Sequence, residues 1–532
     1  MPVIHSHKFN SYKLNAEEQL HAYNGMDTCI LHDLLGVLKS HLNPQHTDIT
    51  YKFERAMLGP ALAMMRRGVL VDEQYRLEVV SELEAKHDKL TDLSRKLASV
   101  IWSDSESFNP NSTDQLSKYF YDGFGIEPFY SYKAKSRKPS VDEDTLEKLK
   151  EGFPIAEPMA RCILALRETK KRLDVLRYGI DPDGRLRTFY DVAGTRTGRW
   201  ASRQSVHDTG GNLQNWEKRM RRVVIPDPGY VMFDVDLEQA ESRAVAYLSG
   251  DEAYIAACEG GDLHTDVAVG VFNCSPSIVE GENAPGLSFS RRHMAKVSGH
   301  GTNYLLSPTS LARYNKIKLP AAFKFQALYK GLEVPLDSAI RWGWCDARGG
   351  HIDPDFKDRI ELNKRKETII VTGKFGGIAR WQEETTRTVK ETGSLITPLG
   401  RKRQFWKRLN DDKTIREAVA FVPQSLIGDL LNLGLWNVWY QLELANHPAV
   451  EPGDLQILMQ VHDSVVGQIR KDKVDVILPL VLECLSNLIP VNGRTMLVPA
   501  AAKIGYNWCE RSVDKKTGRV INPNGLVKWK VK

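Results

Sequence analysis

Asp234 and Asp236 stand two residues apart in Tyr230-Val-Met-Phe-Asp-Val-Asp-Leu237, where Val231, Phe233, Val235 and Leu237 alternate with Met232 and the two acids. That alternation is the period of a β-strand with one buried apolar face, and it puts both carboxylates on the other. Aspartate is disfavoured within strands, so two on one face need a reason. A solvated sheet edge is one reason; a divalent-metal site completed by an acid from elsewhere is the other. Asp463 is the natural mate. It lies at the polar tip His462-Asp463-Ser464 between two apolar runs, the pattern of a hairpin spanning residues 455–469. Two carboxylates bridging two Mg²⁺ ions roughly 3.5–4 Å apart would serve an in-line phosphoryl transfer. An ordinary turn former is the competing reading of Asp463. A second group is cationic. Arg292, Lys296, His300 and Tyr304 recur every fourth residue, and at about 100° per residue they share one helix face. A solvated basic stripe would show this spacing too, but it would waste Tyr304. A triphosphate suits the set better, since Arg and Lys grip phosphate oxygens while rings pack on sugar and base.

The elements that must position these groups follow from the flanking pattern. After Leu237 the apolar spacing turns helical through Ala240, Ala244, Tyr247 and Leu248, so the strand runs into a helix carrying Glu238, Glu241 and Arg243. Helices are expected around residues 17–38, over much of 51–104 with a break at Arg66–Asp72, from Asp114 with Ser112 or Thr113 as cap, after Ser140 as cap, and over 159–177. Asp181-Pro-Asp-Gly184 reads as a turn before a strand through Leu186 and Phe189. Gly194–Arg203 has too little apolar content for core, and its arginines Arg196 and Arg199 sit between small residues. Residues 309–370, with Trp342, Trp344 and Gly349-Gly350, read as an irregular insertion, and 415–441 as a buried helix. The basic run Ser131–Pro139 reads as a solvated loop, or as a phosphate contact on a nucleic-acid enzyme.

At 532 residues, 42% hydrophobic and 26% charged, the chain has the composition of a soluble globular enzyme of two to four domains or subdomains. It contains no 18-residue apolar run, which predicts no membrane partner, and its first residues lack the apolar core of a signal peptide. Seven cysteines without a C-x-x-C pair argue against a zinc site or a disulfide framework and fit a reducing cytosol. A net charge of +6 is compatible with a polyanionic partner without requiring one.

The three stretches, in this order, resemble motifs A, B and C of the family A DNA polymerases, the bacterial DNA polymerase I and phage replicase group. Motif A, D-x-S-Q-x-E-x-R, is matched by Asp236-Leu-Glu-Gln-Ala-Glu-Ser-Arg243, followed by Leu248-Ser-Gly-Asp251 and Asp262-Leu-His-Thr265. Motif B is matched by Arg292, Lys296 and Tyr304, with Leu305 in place of a glycine; motif C by Gln460-Val-His-Asp463, with Ser464 in place of a glutamate. Thr197-Gly-Arg199, Asn212-Leu-Gln-Asn215, Gly400-Arg401, Arg416 with Gln424 and Asp429, and Gly505-Tyr-Asn-Trp508 are further matches, so the resemblance covers about residues 51–510.

The resemblance implies an α+β right-hand polymerase, its palm an antiparallel sheet with helices and its thumb and fingers mostly helical. The implied division is residues 1–50 as a remnant or half of a 3′–5′ exonuclease domain, 51–178 thumb, 179–250 palm, 251–414 fingers, and 415–532 palm again. It implies DNA synthesis from dNTPs on primer-template DNA, with Asp236 and Asp463 holding two Mg²⁺ ions. Arg292 and Lys296 would bind the triphosphate, Lys296 also as proton donor to pyrophosphate. Tyr304 would close behind the nascent pair, and Glu241 would be the steric gate against a ribose 2′-hydroxyl. Gln239, His264 and His300 would also face the nucleotide, and Arg199, Gln214, Arg416, Gln424 and His462 the DNA. Ser464 removes one acid, for which Asp234 is the expected substitute. Ala420 stands where the family has Asn, and His300 where it has Phe or Tyr. Tyr23-Asn-Gly-Met-Asp27 resembles the third exonuclease motif without the first two, which implies no proofreading by this chain alone and suggests an exonuclease subunit on another polypeptide, or a processivity factor, as partner. The trimmed exonuclease and the motif variants lean towards a phage, with a cytoplasmic location in the bacterial or infected cell. A single-subunit RNA polymerase shares the palm and H-D-S at motif C but has no carboxylate at the position of Glu241; a polymerase-shaped binding protein without catalysis is the remaining rival.

Overall fold

In the computed structural model, residues 15–130, 138–205, 209–281, 290–514 and 517–530 are described. Most of the basic run at 131–139 and the first residues of the chain lie outside them. The chain divides into two compact units: one of Met1–Met57, Glu241–Asp429 and Pro490–Met496, the other of Leu58–Ala240, Leu430–Ile489 and Leu497–Lys532.

The second unit is organised on an antiparallel five-stranded sheet, in the order Leu455–Val461, Ser464–Arg470, Tyr230–Leu237, Ala500–Gly505, Val527–Lys528. The acid-bearing strand is therefore central, and hydrogen-bonded on both sides. Val231, Phe233, Val235 and Leu237 are buried as their alternation requires. The opposite face is not solvated throughout: Met232 is fully buried, packed with Met459, Val461, Val466 and Trp508. Only at Asp234, half-buried, and Asp236, exposed, does that face open. Gly467, opposite Phe233, lets the strands close, since a Cβ there would lie 2.4 Å from the Phe233 ring.

In the same unit, Glu73–Ala98, capped by Asp72, and Glu157–Leu176 are long helices. Phe108, Leu116, Phe120, Leu146, Met159 and Ile163 form a separate core. Ser112 caps Thr113–Ser117 as expected. The expected cap at Ser140 moves to Asp142, which accepts from the Thr145 N–H, while the Ser140 hydroxyl accepts from the Asp142 N–H. The single strand expected through Leu186 and Phe189 is two. Arg185–Leu186 pairs with Val69–Val71, and Phe189–Asp191 with Ala201–Arg203. Arg187, between them, is drawn aside to Asp181 and Asp183. Gly194–Arg203 does contribute to the core: Trp200 is buried against Tyr190.

In the first unit, the helix Ala16–Ser40 carries Tyr23 and Asp27 and buries no side chain. The insertion is more regular than expected. It starts as the helices Pro308–Tyr314 and Leu319–Lys330, then forms a small sheet of Leu332–Pro335, Thr368–Val371 and Ile360–Leu362. Trp344 is buried between Trp342 and Phe356, with ring centroids 4.9 and 4.7 Å away at tilted angles, while Trp342 itself is half-buried. The helix Asp412–Asn437 continues in a wider turn to Glu443. This stretch is long and apolar enough to cross a membrane, and its apolar window is 83% buried within the fold.

Candidate active site

The carboxylates meet at one end of the central sheet. Ser464 is the register partner of Asp236, and Ala501 lies across from it on the other side. The Leu237 N–H donates to the Asp463 carbonyl at 3.2 Å, which ties the hairpin tip to the end of the acid strand. His462, first of the two tip residues, has φ +53°, a conformation more usual for glycine. The tip is held from below by Gln460, which is 3% exposed. Its side-chain amide donates to the His462 carbonyl at 2.6 Å and accepts from the Gln214 amide at 2.7 Å. The Tyr190 hydroxyl accepts from the Gln460 N–H at 3.2 Å. Tyr190 was not recognisable from its neighbours in sequence, and Gln460 was visible only as part of a motif.

These acids are under-compensated. Although Asp236 is solvent-accessible, the surrounding protein partly desolvates its carboxyl and raises it from 3.8 to about 6, helped by the charges of Asp234 and Asp463 and opposed by Lys503. Asp234 is also raised by burial, against the pull of Ser464, Lys503 and Arg221. It accepts from the Trp508 indole N–H at 3.3 Å. Asp463 has a cationic neighbour, since Arg199 donates to its carboxylate at 3.1 Å. The donor set at Asp236 and Asp463 is carboxylate oxygen alone, which suits a hard divalent cation bound through one or two carboxylates and completed by substrate phosphates. No group of three or more His, Cys, Asp or Glu placed to hold an ion occurs among the described residues. Ser464 is buried and offers only a hydroxyl, which donates to the Val461 carbonyl.

In the first unit, Ser290 caps the helix Arg291–Asn303. Arg292 makes two bonds of 3.1 Å to Asp262, itself the cap of Leu263–Phe272. The Arg292 guanidinium holds the Asp262 carboxyl at about 2. His264 is lowered by burial and by the charges of Arg292 and Lys296, against the pull of Asp262. Tyr304 is not within the helix but caps its C-terminus, and Leu305 then takes φ +57°. Leucine thus adopts the left-handed backbone that the motif's glycine would supply, at a cost of about 1–2 kcal/mol. The Tyr304 hydroxyl donates to Glu241 at 2.8 Å, His300 lies 3.6 Å from the same oxygen, and the two rings meet edge to face at 4.9 Å. Arg243 of motif A is buried and donates to the Cys258 carbonyl.

Gln239 lies in the turn after the acid strand, with φ +55°. Arg416, Ala420 and Gln424 recur every fourth residue on the long helix; Arg416 is exposed and the other two half-buried, a less buried stripe on an otherwise buried element. Asn432 donates to the Gly198 carbonyl at 3.2 Å, anchoring the loop that carries Arg199.

The family model for DNA polymerase family A matches residues 80–332. It is 26% identical over 480 residues to the thermostable DNA polymerase I of Thermus filiformis, covering 87% of this chain and 48% of that protein. It is 27% identical to the thermostable DNA polymerase I of Thermus aquaticus over 85% of this chain and 47% of the relative. The chain thus spans about half the length of the curated relatives it matches. Its fold is similar to that of the polymerase domain of Pol1 from M. smegmatis, solved with DNA primer-template and dNTP. The TM-score is 0.64 and the identity 22%, over 85% of this chain and 70% of that one.

Proposed function

We propose that this chain is a DNA-directed DNA polymerase that transfers a deoxynucleoside monophosphate from dNTP to a primer 3′-hydroxyl. The observation that carries the reading is the convergence of Asp236 and Asp463, with Asp236 raised to about 6 at a site built from carboxylate oxygens. Asp236 and Asp463 would hold two divalent ions, Mg²⁺ by their hard-oxygen preference, which when bound lower the pKa of the attacking hydroxyl and neutralise charge at the phosphorus. Asp234, engaged with Trp508, positions the strand end and adds negative charge beneath it.

Arg292 and Lys296 would bind the triphosphate, Arg292 exchanging Asp262 for phosphate oxygens. Lys296 would give its proton to the departing pyrophosphate. Glu241, fixed by Tyr304 and flanked by His300, would fill the space of a ribose 2′-hydroxyl, while Gln239 and His264 border the nucleotide. Arg199, Gln214, Arg416, Gln424 and His462 would face the primer-template, where minor-groove acceptors common to all correct pairs can be probed without reading sequence. A phage replication setting, a cytoplasmic location and a separate exonuclease or processivity subunit belong to the same reading. Primer extension with Mg²⁺, comparing deoxy- with ribonucleotides, tests it: deoxynucleotide incorporation abolished by Asp463→Ala is expected. Preference for ribonucleotides would make the chain an RNA polymerase, and no incorporation by the parent chain would sink the assignment.

A further inference from the structure

Trp406 is 89% exposed, more than any other large apolar side chain among the described residues. It follows the hairpin of Ser394–Ile396 and Lys402–Gln404 and precedes the helix Asp412–Asn437. Slack chain does not account for the exposure. Phe405, immediately before it, is buried with Val389, Leu395 and Phe421, and its N–H donates to the Gly393 carbonyl at 2.8 Å. Arg403 lies over the Phe405 ring at 4.5 Å and donates to Glu417 at 2.9 Å. Lys407, immediately after, reaches the same carboxylate at 3.3 Å. The residues on both sides of Trp406 are thus anchored, and the register turns the indole outward.

The surroundings are cationic. Lys402, Lys407 and Arg408, all within four residues of Trp406 in the chain, are exposed. Of the nearby acids, Glu417 is engaged by Arg403 and Lys407, Asp411 accepts from the Thr414 N–H, and Asp412 begins the next helix. A flat aromatic face among cations complements one polymer in particular, in which planar bases alternate with phosphates. A protein hot spot would also accept the indole, but its partner would have to bring an acid for each cation.

We propose that Trp406 is a stacking platform for an unpaired base of single-stranded DNA, with Lys402 and Arg408 pairing with its phosphates. The proposal rests on the DNA-binding reading above and adds a contact made by residues that take no part in handling the nucleotide. The test is binding of the full chain to a fluorescein-labelled oligo-dT. Trp406→Ala is expected to weaken it about tenfold, the scale of one lost base–aromatic stack, and Trp406→Phe to retain most of it. Lys402→Ala and Arg408→Ala should each reduce the salt slope by roughly 0.7, one released counterion on a single strand. An oligonucleotide carrying 5-iodouracil should photocrosslink to the peptide containing Trp406. Melting temperature and extension over a minimal template overhang should stay at the parent's values. Unchanged oligo-dT affinity in Trp406→Ala, as an indole reserved for a protein would give, or crosslinks confined to other peptides, would overturn the proposal. Because binding and crosslinking need no catalysis, a parent chain that fails to extend primers would overturn the polymerase reading and leave this one to its own result.

Discussion

Asp236 is fixed by backbone on both sides and Asp463 by a clamped hairpin tip, whereas Arg292 and Lys296 stand on one helix and Arg292 is paired with Asp262. The acid strand pairs with Ser464–Arg470 and Ala500–Gly505, and Gln460 clamps the tip that carries Asp463. Asp463 is paired with Arg199, but the charge of Asp236 is only partly offset, as its raised carboxyl shows. The basic helix is the reverse. Arg292 is already satisfied by Asp262, with 30% and 50% of the two side chains exposed, an ion pair worth only about 0–1 kcal/mol. Geometry is therefore preset where charge must be concentrated, and charge is held in reserve where a ligand must displace a partner at little cost.

The largest test of this contrast is Asp236→Asn. Extension should fall by a factor on the order of 10³ or more, given the several kcal/mol of charge stabilisation at stake. Stability should move the other way. Because the folded-state carboxyl is raised, the fold is more stable with Asp236 protonated, and that advantage is lost as pH rises from 3.8 through about 6. Above that window the substituted chain should melt higher than the parent in the absence of divalent ions, and Mg²⁺ should close the gap. An Asn variant that melts lower there would mean that the acids are compensated after all. Next in size, Glu241→Ala should raise ribonucleotide incorporation by roughly 10–200-fold, as a lost steric contact would, with Tyr304→Phe giving a smaller rise. Single-nucleotide competition assays read both. Gln460→Leu leaves the tip without its buried amide, and a melting curve should show a loss of about 1–3 kcal/mol together with slower extension. Smallest is Leu305→Gly, which relieves the left-handed leucine. An unfolding free energy raised by up to about 1 kcal/mol in a denaturant titration, with nucleotide affinity unchanged, is expected.

What was legible was short in range. The alternation around Asp236, the hairpin tip at Asp463 and the four-residue spacing from Arg292 to His300 are each local, and local sterics decide such elements, although Tyr304 falls just past its helix. What was misread depended on distant partners. Ser140 and Asp142 are both competent caps, and the choice fell to the residue whose carboxylate reaches the Thr145 N–H. Trp344 does lie in irregular chain, but its burial against Phe356, which comes from a separate short run, could not be read locally. Trp200 sits in a segment poor in apolar residues, yet Tyr190 from the neighbouring strand covers it.

The sequence by itself determined the kind of element on which most of the candidate side chains stand, because residue type and periodicity are local properties. Only the tertiary structure decided that Asp234 is bound to the Trp508 indole, that Arg199 pairs with Asp463, that Leu305 accepts a glycine's backbone, and that Gln460 holds the hairpin tip. Burial, cross-strand register and the raising of a carboxyl by neighbouring charges depend on residues far apart in the chain, and folding alone brings those together.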